Sequence, residues 1–221
     1  IMRVVQQASK ARTVSRVVVA TDDERILQHV KNAGAETLLT RSDHQSGTDR
    51  CAEVAERLGF EGIVVNVQGD EPFIQPDQID ALVAHLHANA TPGIATLARK
   101  IDVSSKIFDP NIVKVVFSQS QQALYFSRHP IPFVRNAATK DWIEKTDFYK
   151  HIGLYAYHAS VLRKLAHLPK GRLEINESLE QLRWLEYGYP IAVCLTDIEA
   201  IGIDTPADLD YVRALLDKGK L

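Results

Sequence analysis

Between Arg16 and Ala98 the chain repeats one unit, a short β-branched run followed by an amphipathic stretch, and this repeat restricts the fold more than any other feature. Arg16-Val17-Val18-Val19-Ala20 reads as a strand, and Thr21-Asp22-Asp23 can cap a helix from Glu24 to Ala33 that Gly34 ends. Glu36 to Thr40 is the next strand, Ser46-Gly47-Thr48 opens a helical run to Leu58, and Gly59 stops it. Gly62-Ile63-Val64-Val65-Asn66-Val67 is apolar at nearly every position, as in a strand covered on both faces. Pro76 falls at a first helical position ahead of the stripe Ile79, Leu82, Val83 and Leu86, and Ile94 to Ala98 closes the cycle. Strands joined through helices by short loops imply right-handed crossovers, so this region reads as a doubly wound α/β domain with a mostly parallel sheet.

After residue 100 the rhythm changes. Ile112 to Phe117, Leu124 to Ser127 and Ile152 to Tyr157 are strand-like with little helix between them, the pattern of a smaller mixed lobe. Arg135 to Asp147 reads as an exposed loop. A helix is expected from about Ile175 to Tyr187, strands at Ile191 to Leu195 and Ala200 to Ile203, and a last helix from Ala207 to Leu216. Ile1 to Ala8 reads as the middle of a helix, which leads one to expect a segment upstream.

A chain of 221 residues, 45% of them hydrophobic, is long enough to bury a substantial core. Its formal net charge of -2 argues against a nucleic-acid-binding surface, although a small anion needs only a local cluster of donors. No apolar run approaches the roughly 20 residues that span a bilayer, and no secretory signal opens the chain, so a cytoplasmic location with no membrane partner is the default. Cys51 and Cys194 lack metal-ligand spacing and read as buried, reduced thiols.

Three segments could carry chemistry. Asn66-Val67-Gln68-Gly69-Asp70-Glu71-Pro72 lies where a buried strand runs into a loop, the usual ligand position in open α/β sheets. Asp70 is either a metal ligand there or a solvated turn residue. In Gly202-Ile203-Asp204-Thr205-Pro206, Thr205 and Pro206 suffice to start a helix, leaving Asp204 for a metal or for an Asx-type turn. Two carboxylates at separate strand ends suit Mg²⁺ shared with phosphate oxygens. The third segment, Thr40-Arg41-Ser42-Asp43-His44-Gln45-Ser46-Gly47-Thr48-Asp49-Arg50, offers hydroxyls, guanidinium groups and free helix amides to a nucleotide, or is simply a well-capped loop.

These segments, with Tyr125-Phe126-Ser127-Arg128, His151-Ile152-Gly153-Leu154-Tyr155 and Leu179-Glu180-Gln181-Leu182-Arg183, occur in the order seen in 3-deoxy-manno-octulosonate (Kdo) cytidylyltransferases, and the chain resembles that family over nearly its whole length. The resemblance implies a nucleotide-diphosphosugar-transferase-like fold, with a nucleotide-binding core of about 1–100 plus 190–221 and a sugar-binding and dimerisation lobe of about 101–189. It implies formation of CMP-Kdo and pyrophosphate from CTP and Kdo for lipopolysaccharide synthesis, and a homodimer. Carried over by motif, Asp70 and Asp204 are the Mg²⁺ ligands and catalytic acids. Arg41, Ser46, Gly47 and Gln68 line the nucleotide pocket, and Arg128, His151, Tyr155, Glu177 and Gln181 face the sugar acid.

For the last group packing is an alternative. His151 and Tyr155 are four apart on one strand face, and Glu177 and Gln181 four apart on one helix face, spacings that serve a core or a solvated surface equally well. The family's opening strand and its basic, glycine-rich phosphate loop have no counterpart in the chain, whose residues 1 to 12 match the helix after that loop. The competing readings are a cytidylyltransferase for another acidic sugar and a non-catalytic nucleotide-sugar-binding module.

Overall fold

The computed structural model describes residues 1–89, 91–198, 209–210 and 212–214. Helix α1 (Met2–Ala8) leads to β1 (Val19–Thr21), α2 (Glu24–Asn32) and β2 (Thr37–Leu39). Asp23 caps α2 by accepting from the Arg25 backbone N–H at 2.7 Å, which satisfies one of the donors a helix start leaves open. Strands β1 and β2 form a separate two-stranded parallel sheet, with Val19 opposite Thr37. The alternation continues through α3 (Gly47–Arg57), β3 (Ile63–Asn66), α4 (Pro76–Ala88) and β4 (Ile94–Lys100).

The second half supplies α5 (Ser104–Ile107), β5 (Lys114–Phe117), β6 (Ala123–Ser127), α6 (Trp142–Lys145), β7 (Tyr149–His158), α7 (Ala159–Leu165), α8 (Arg172–Glu177), α9 (Gln181–Glu186) and β8 (Ala192–Leu195). Its strands join β3 and β4 in one six-stranded sheet. The α/β architecture is the expected one, but the sheet is mixed rather than mostly parallel. Strands β4 and β8 pair in parallel, whereas β7 lies antiparallel to both β3 and β4 and so separates them. Alternation along a strand encodes which side chains meet each face and is silent on the direction of the neighbouring strand, so β7 could not be oriented from its residues.

Both faces of this sheet are covered. On β4 and β7, Ile94, Ala98, Tyr155 and Tyr157 pack with Ala52 of α3, Leu162 of α7 and Trp184 of α9. The intervening Ala95, Leu97, Ile152, Leu154 and Ala156 pack with Ile79, Leu82, Val83 and Leu86 of α4. The period of two thus sends successive residues into opposite layers, and α4 buries the stripe its sequence predicts.

Two expected elements differ. The helix from Ile175 to Tyr187 is broken, because Ser178 takes a left-handed conformation (φ 52) between α8 and α9. Glu177 and Gln181 therefore do not share one helix face. The segment 135–147 is not wholly an exposed loop: Trp142 is buried with Ile101, Ile107 and Phe148 in a small core of its own, and its indole N–H donates to the Ala137 carbonyl at 3.2 Å. A single aromatic among polar residues anchors this turn, which no periodic pattern could announce. Residues 209–210 and 212–214 are helical, while the expected strand at 200–203 lies outside the described residues. Among the described residues, no helix is long and apolar enough to cross a membrane.

Candidate active site

The carboxyl end of β3 is where the expected nucleotide residues meet. Ser46 is extended (φ -148) and caps α3, its hydroxyl accepting from the Asp49 backbone N–H at 3.2 Å. Gly47, the first residue of α3, runs so close to Asn66 that an added Cβ would lie 3.2 Å from the Asn66 Nδ2 and 3.5 Å from the Gln68 Nε2. Only the missing side chain lets the helix start approach the strand end so closely. Ser46, Gly47, Asn66 and Gln68 form the polar end of a cavity of about 780 Å³, whose apolar walls include Val17, Val19, Ile63 and Val65. This cavity lies along edges of β1 and β3 that, among the described residues, have no strand partner. Arg41 does not line it. Its guanidinium points outward and donates to Asp43 at 2.9 Å, while its backbone N–H donates to Glu53 at 3.1 Å.

Asp70 borders a second space of about 420 Å³, lined also by Arg3, Phe73, Leu209, Val212 and Arg213. It is exposed beyond the end of β3, and among the described residues its carboxylate has no hydrogen-bond or ion-pair partner. An uncommitted carboxylate oxygen beside a cleft fits a hard cation such as Mg²⁺ that keeps its remaining positions for water and phosphate. Asp204, its expected companion, lies outside the described residues. Among those described, no group of three or more His, Cys, Asp or Glu side chains could hold a metal ion.

The expected sugar-facing residues divide into two sets. Tyr155 lies opposite both Asn66 and Thr96 in the sheet, so it stands beside the nucleotide end of the cavity. Its ring packs edge-on against Trp184 at 5.1 Å, and its hydroxyl is sealed from solvent without a hydrogen bond. Where the pairing of β4 with β7 shifts register, between Thr96 and Leu97, the Thr96 hydroxyl lies 2.9 Å from the His151 Nε2 and donates to the Leu154 carbonyl at 2.9 Å. Burial pushes the His151 imidazolium pKa down to about 3, so this ring is a neutral hydrogen-bonding group at physiological pH. Gln181 is buried in the first turn of α9.

Arg128 and Glu177 instead brace each other. The Glu177 carboxylate accepts from the Ser127 hydroxyl at 2.7 Å and the Arg128 backbone N–H at 2.9 Å. The Arg128 guanidinium donates to the carbonyls of Glu177, Pro110 and Ser178 at 2.7, 3.1 and 3.3 Å. The buried Lys114 ammonium adds a bond of 2.5 Å to the Arg128 carbonyl. These contacts hold the β6 end against α8.

Two residues of this site stand outside the expected set. Asn66 links Gly47, Gln68 and Tyr155, and Glu180 accepts from the Thr48 hydroxyl at 2.9 Å. A polar residue closing an otherwise apolar strand was the available signal for Asn66. For Glu180, whose partner is remote in the chain, there was none beyond its neighbour Gln181.

The cytidylyltransferase family model matches residues 1–198. A 3-deoxy-manno-octulosonate cytidylyltransferase of Parabacteroides distasonis is 47% identical over 98% of this chain and 87% of its own length. One from Bacteroides thetaiotaomicron is 48% identical with the same coverage. Among solved structures, a CMP:2-keto-3-deoxy-manno-octonic acid synthetase complexed with CTP superposes with a TM-score of 0.91 at 40% identity, covering 99% of this chain and 88% of that one. A 4-diphosphocytidyl-2C-methyl-D-erythritol synthase from Anaerococcus prevotii shares the fold alone, at a TM-score of 0.61 and 13% identity. With its motifs in order and these likenesses running through nearly all its length, the chain belongs to the 3-deoxy-manno-octulosonate cytidylyltransferase family.

Proposed function

We propose that the protein transfers the CMP moiety of CTP to Kdo, releasing pyrophosphate and supplying CMP-Kdo for lipopolysaccharide assembly. The observation that carries this reading is the polar cavity end built by Ser46, Gly47 and Gln68, in a chain 40% identical over 99% of its length to a protein complexed with CTP. The anomeric hydroxyl of Kdo attacks the α-phosphorus in line, the new oxygen–phosphorus bond forms, pyrophosphate leaves and the hydroxyl proton passes to water. Positioning and charge stabilisation are the protein's contribution. The amides at the start of α3, the Ser46 hydroxyl and the Gln68 amide orient the nucleotide, with Arg41 free to exchange Asp43 for an anion. Tyr155, neutral His151 and Gln181 are the uncharged hydrogen-bonding groups that the family motifs assign to the sugar acid, and Arg128 and Glu177 brace the segments beside them.

Asp70 and Asp204 are the residues that would hold Mg²⁺, Asp204 entering on its motif Gly202-Ile203-Asp204-Thr205-Pro206 alone. When bound, the ion neutralises phosphate charge and makes the attacking hydroxyl more acidic. A homodimer accords with the exposure of Leu124, Phe133 and Ile175, which among the described residues are the three most exposed large apolar side chains and all belong to the region 101–189. Two free cysteines accord with a reducing, cytoplasmic setting.

The test is pyrophosphate release from CTP, Mg²⁺ and either Kdo or sialic acid. Kdo should support turnover and sialic acid should not; release with neither sugar in the wild type would overturn the reading. Asp70→Asn should lower turnover by roughly a thousandfold or more, since it removes the negative charge that draws the cation without disturbing a packed layer. Near-normal release by this variant would remove Asp70 from the site.

A further inference from the structure

The geometry points to Glu180 as a positioning residue that couples occupation of the nucleotide loop to the placement of Gln181, so that the two substrates strengthen each other's binding through the Thr48–Glu180 hydrogen bond. The inference rests on the proposed function for the identity of its two ligands.

Three observations lead to it. Thr48 sits in the first turn of α3, immediately after Ser46 and Gly47, and is buried. Its hydroxyl donates to the Glu180 Oε2 at 2.9 Å, across 132 residues of sequence. Glu180 in turn directly precedes α9, whose first residue is Gln181, and follows the left-handed Ser178 that separates α9 from α8. One hydrogen bond thus joins the residues expected to hold CTP to the residue expected to hold the sugar.

Glu180 is held from the start of α3, by the Thr48 hydroxyl and with the Ser46 side chain also acting on its carboxylate. The other carboxylate oxygen, Oε1, is sealed from solvent with no hydrogen-bond partner. Arg183 comes within 3.8 Å of it, but the close contacts of that guanidinium, at 2.7 and 2.6 Å, go to Glu174. Burial lifts the Glu180 carboxyl above the ordinary carboxylate range, outweighing the lowering by Thr48, Ser46 and Arg183. A group so placed is sensitive to the orientation of the Thr48 hydroxyl. A nucleotide that orders Ser46 to Thr48 therefore fixes Glu180 and presents Gln181, which reduces the ordering cost that the sugar must meet; by linkage the sugar does the same for the nucleotide.

The test uses CDP, which carries no pyrophosphate leaving group, so that CDP and Kdo bind with Mg²⁺ present without reacting. Calorimetry gives the CDP affinity with and without saturating Kdo for the full-length protein. The wild type should show at least about a fivefold tightening by Kdo, within the usual range of coupling between sites. Thr48→Val and Glu180→Leu, each of which removes the hydrogen bond, should bring this factor close to one, and Thr48→Ser, which restores the hydroxyl, should restore the factor. A wild-type factor of one, or a factor that survives Thr48→Val, overturns the coupling. Failure of the wild type to bind either ligand instead overturns the proposed function beneath it. Should a variant fold poorly, hydrogen exchange on the wild type decides: CDP alone should protect amides at 179–184, and their indifference to CDP would also overturn the coupling.

Discussion

Asp80 offers a test of how the loop beside the cavity is held. It sits in the second turn of α4 with its side chain 9% exposed. Its carboxylate accepts from the Thr13 hydroxyl at 2.6 Å, the Thr13 backbone N–H at 2.9 Å, and the Arg12 backbone N–H and Nε at 3.2 Å each. This clasp pins the connection between α1 and β1, and Thr13 and Val14 line the cavity wall. Burial by itself would raise the carboxyl's pKa, but the bonds from Thr13 and Arg12 outweigh it and hold the group down at about 2, against an ordinary 3.8.

Each pH unit of such lowering corresponds to about 1.4 kcal/mol, so the ionised Asp80 contributes about 2 kcal/mol to folding at neutral pH. The sign follows from the protons. Between about pH 4 and 2 the unfolded chain carries a proton at this site and the folded one does not, so the contribution is complete above the unfolded pKa and is lost as pH falls through the window. Asp80→Asn keeps the shape but removes the charge, and should lower the thermal midpoint at pH 7 by roughly 4–8 °C, about 2–4 °C per kcal/mol for a chain of this size. Urea unfolding of both proteins at pH 7, 5 and 3 should show a stability gap that is constant down to pH 5 and narrower at pH 3. A gap that keeps its full size at pH 3, or none at pH 7, would refute the reasoning.

Gly47→Ala would place a Cβ 3.2 Å from the Asn66 Nδ2 and 3.4 Å from its Oδ1, forcing the strand-end amides back by a few tenths of an ångström. Its KM for CTP should rise roughly tenfold, a typical cost of small misplacement in a positioning site, with a thermal midpoint within about 2 °C of wild type; an unchanged KM would show that this approach does not serve the nucleotide. Burial raises the Cys51 and Cys194 thiols to about 12 and about 11. At pH 8 a chromogenic disulfide should therefore react slowly with the native protein and quickly with both thiols in denaturant, and rapid native labelling would contradict the burial.

The sequence was most informative where one residue acts on its near neighbours. Asp23 and Ser46 cap the helices they precede, Pro76 starts α4, and the stripe Ile79, Leu82, Val83 and Leu86 enters the core, because each effect operates within about one helical turn. The break at Ser178 was hidden for the converse reason. Serine has no marked preference for the left-handed region, so nothing local announces it; Leu179 and Trp184 on its far side enter the core, and packing is a property of the whole chain.

The same distinction of range explains which site residues could be read. Gly47 and Gln68 could be nominated because each belongs to a compact motif at an element end, whereas their juxtaposition depends on β3 and α3 meeting in space. Arg128 and Glu177, 49 residues apart, were read as facing the sugar acid, and the structure also gives each a partner in the other's segment: the Glu177 carboxylate accepts from the Arg128 backbone N–H at the end of β6, and the Arg128 guanidinium donates to the Glu177 carbonyl at the turn between α8 and α9. A half-buried charged group held by such bonds leaves its partners open when it is removed, so these bonds are a reason for its presence besides any ligand. The contrast lies with Asp70, whose carboxylate has no partner among the described residues, at the end of a strand where the fold delivers ligands. Exposed beside a cleft and uncommitted within the chain, that carboxylate can exchange its water for an ion at little cost, whereas Arg128 and Glu177 would have to give up bonds they already make.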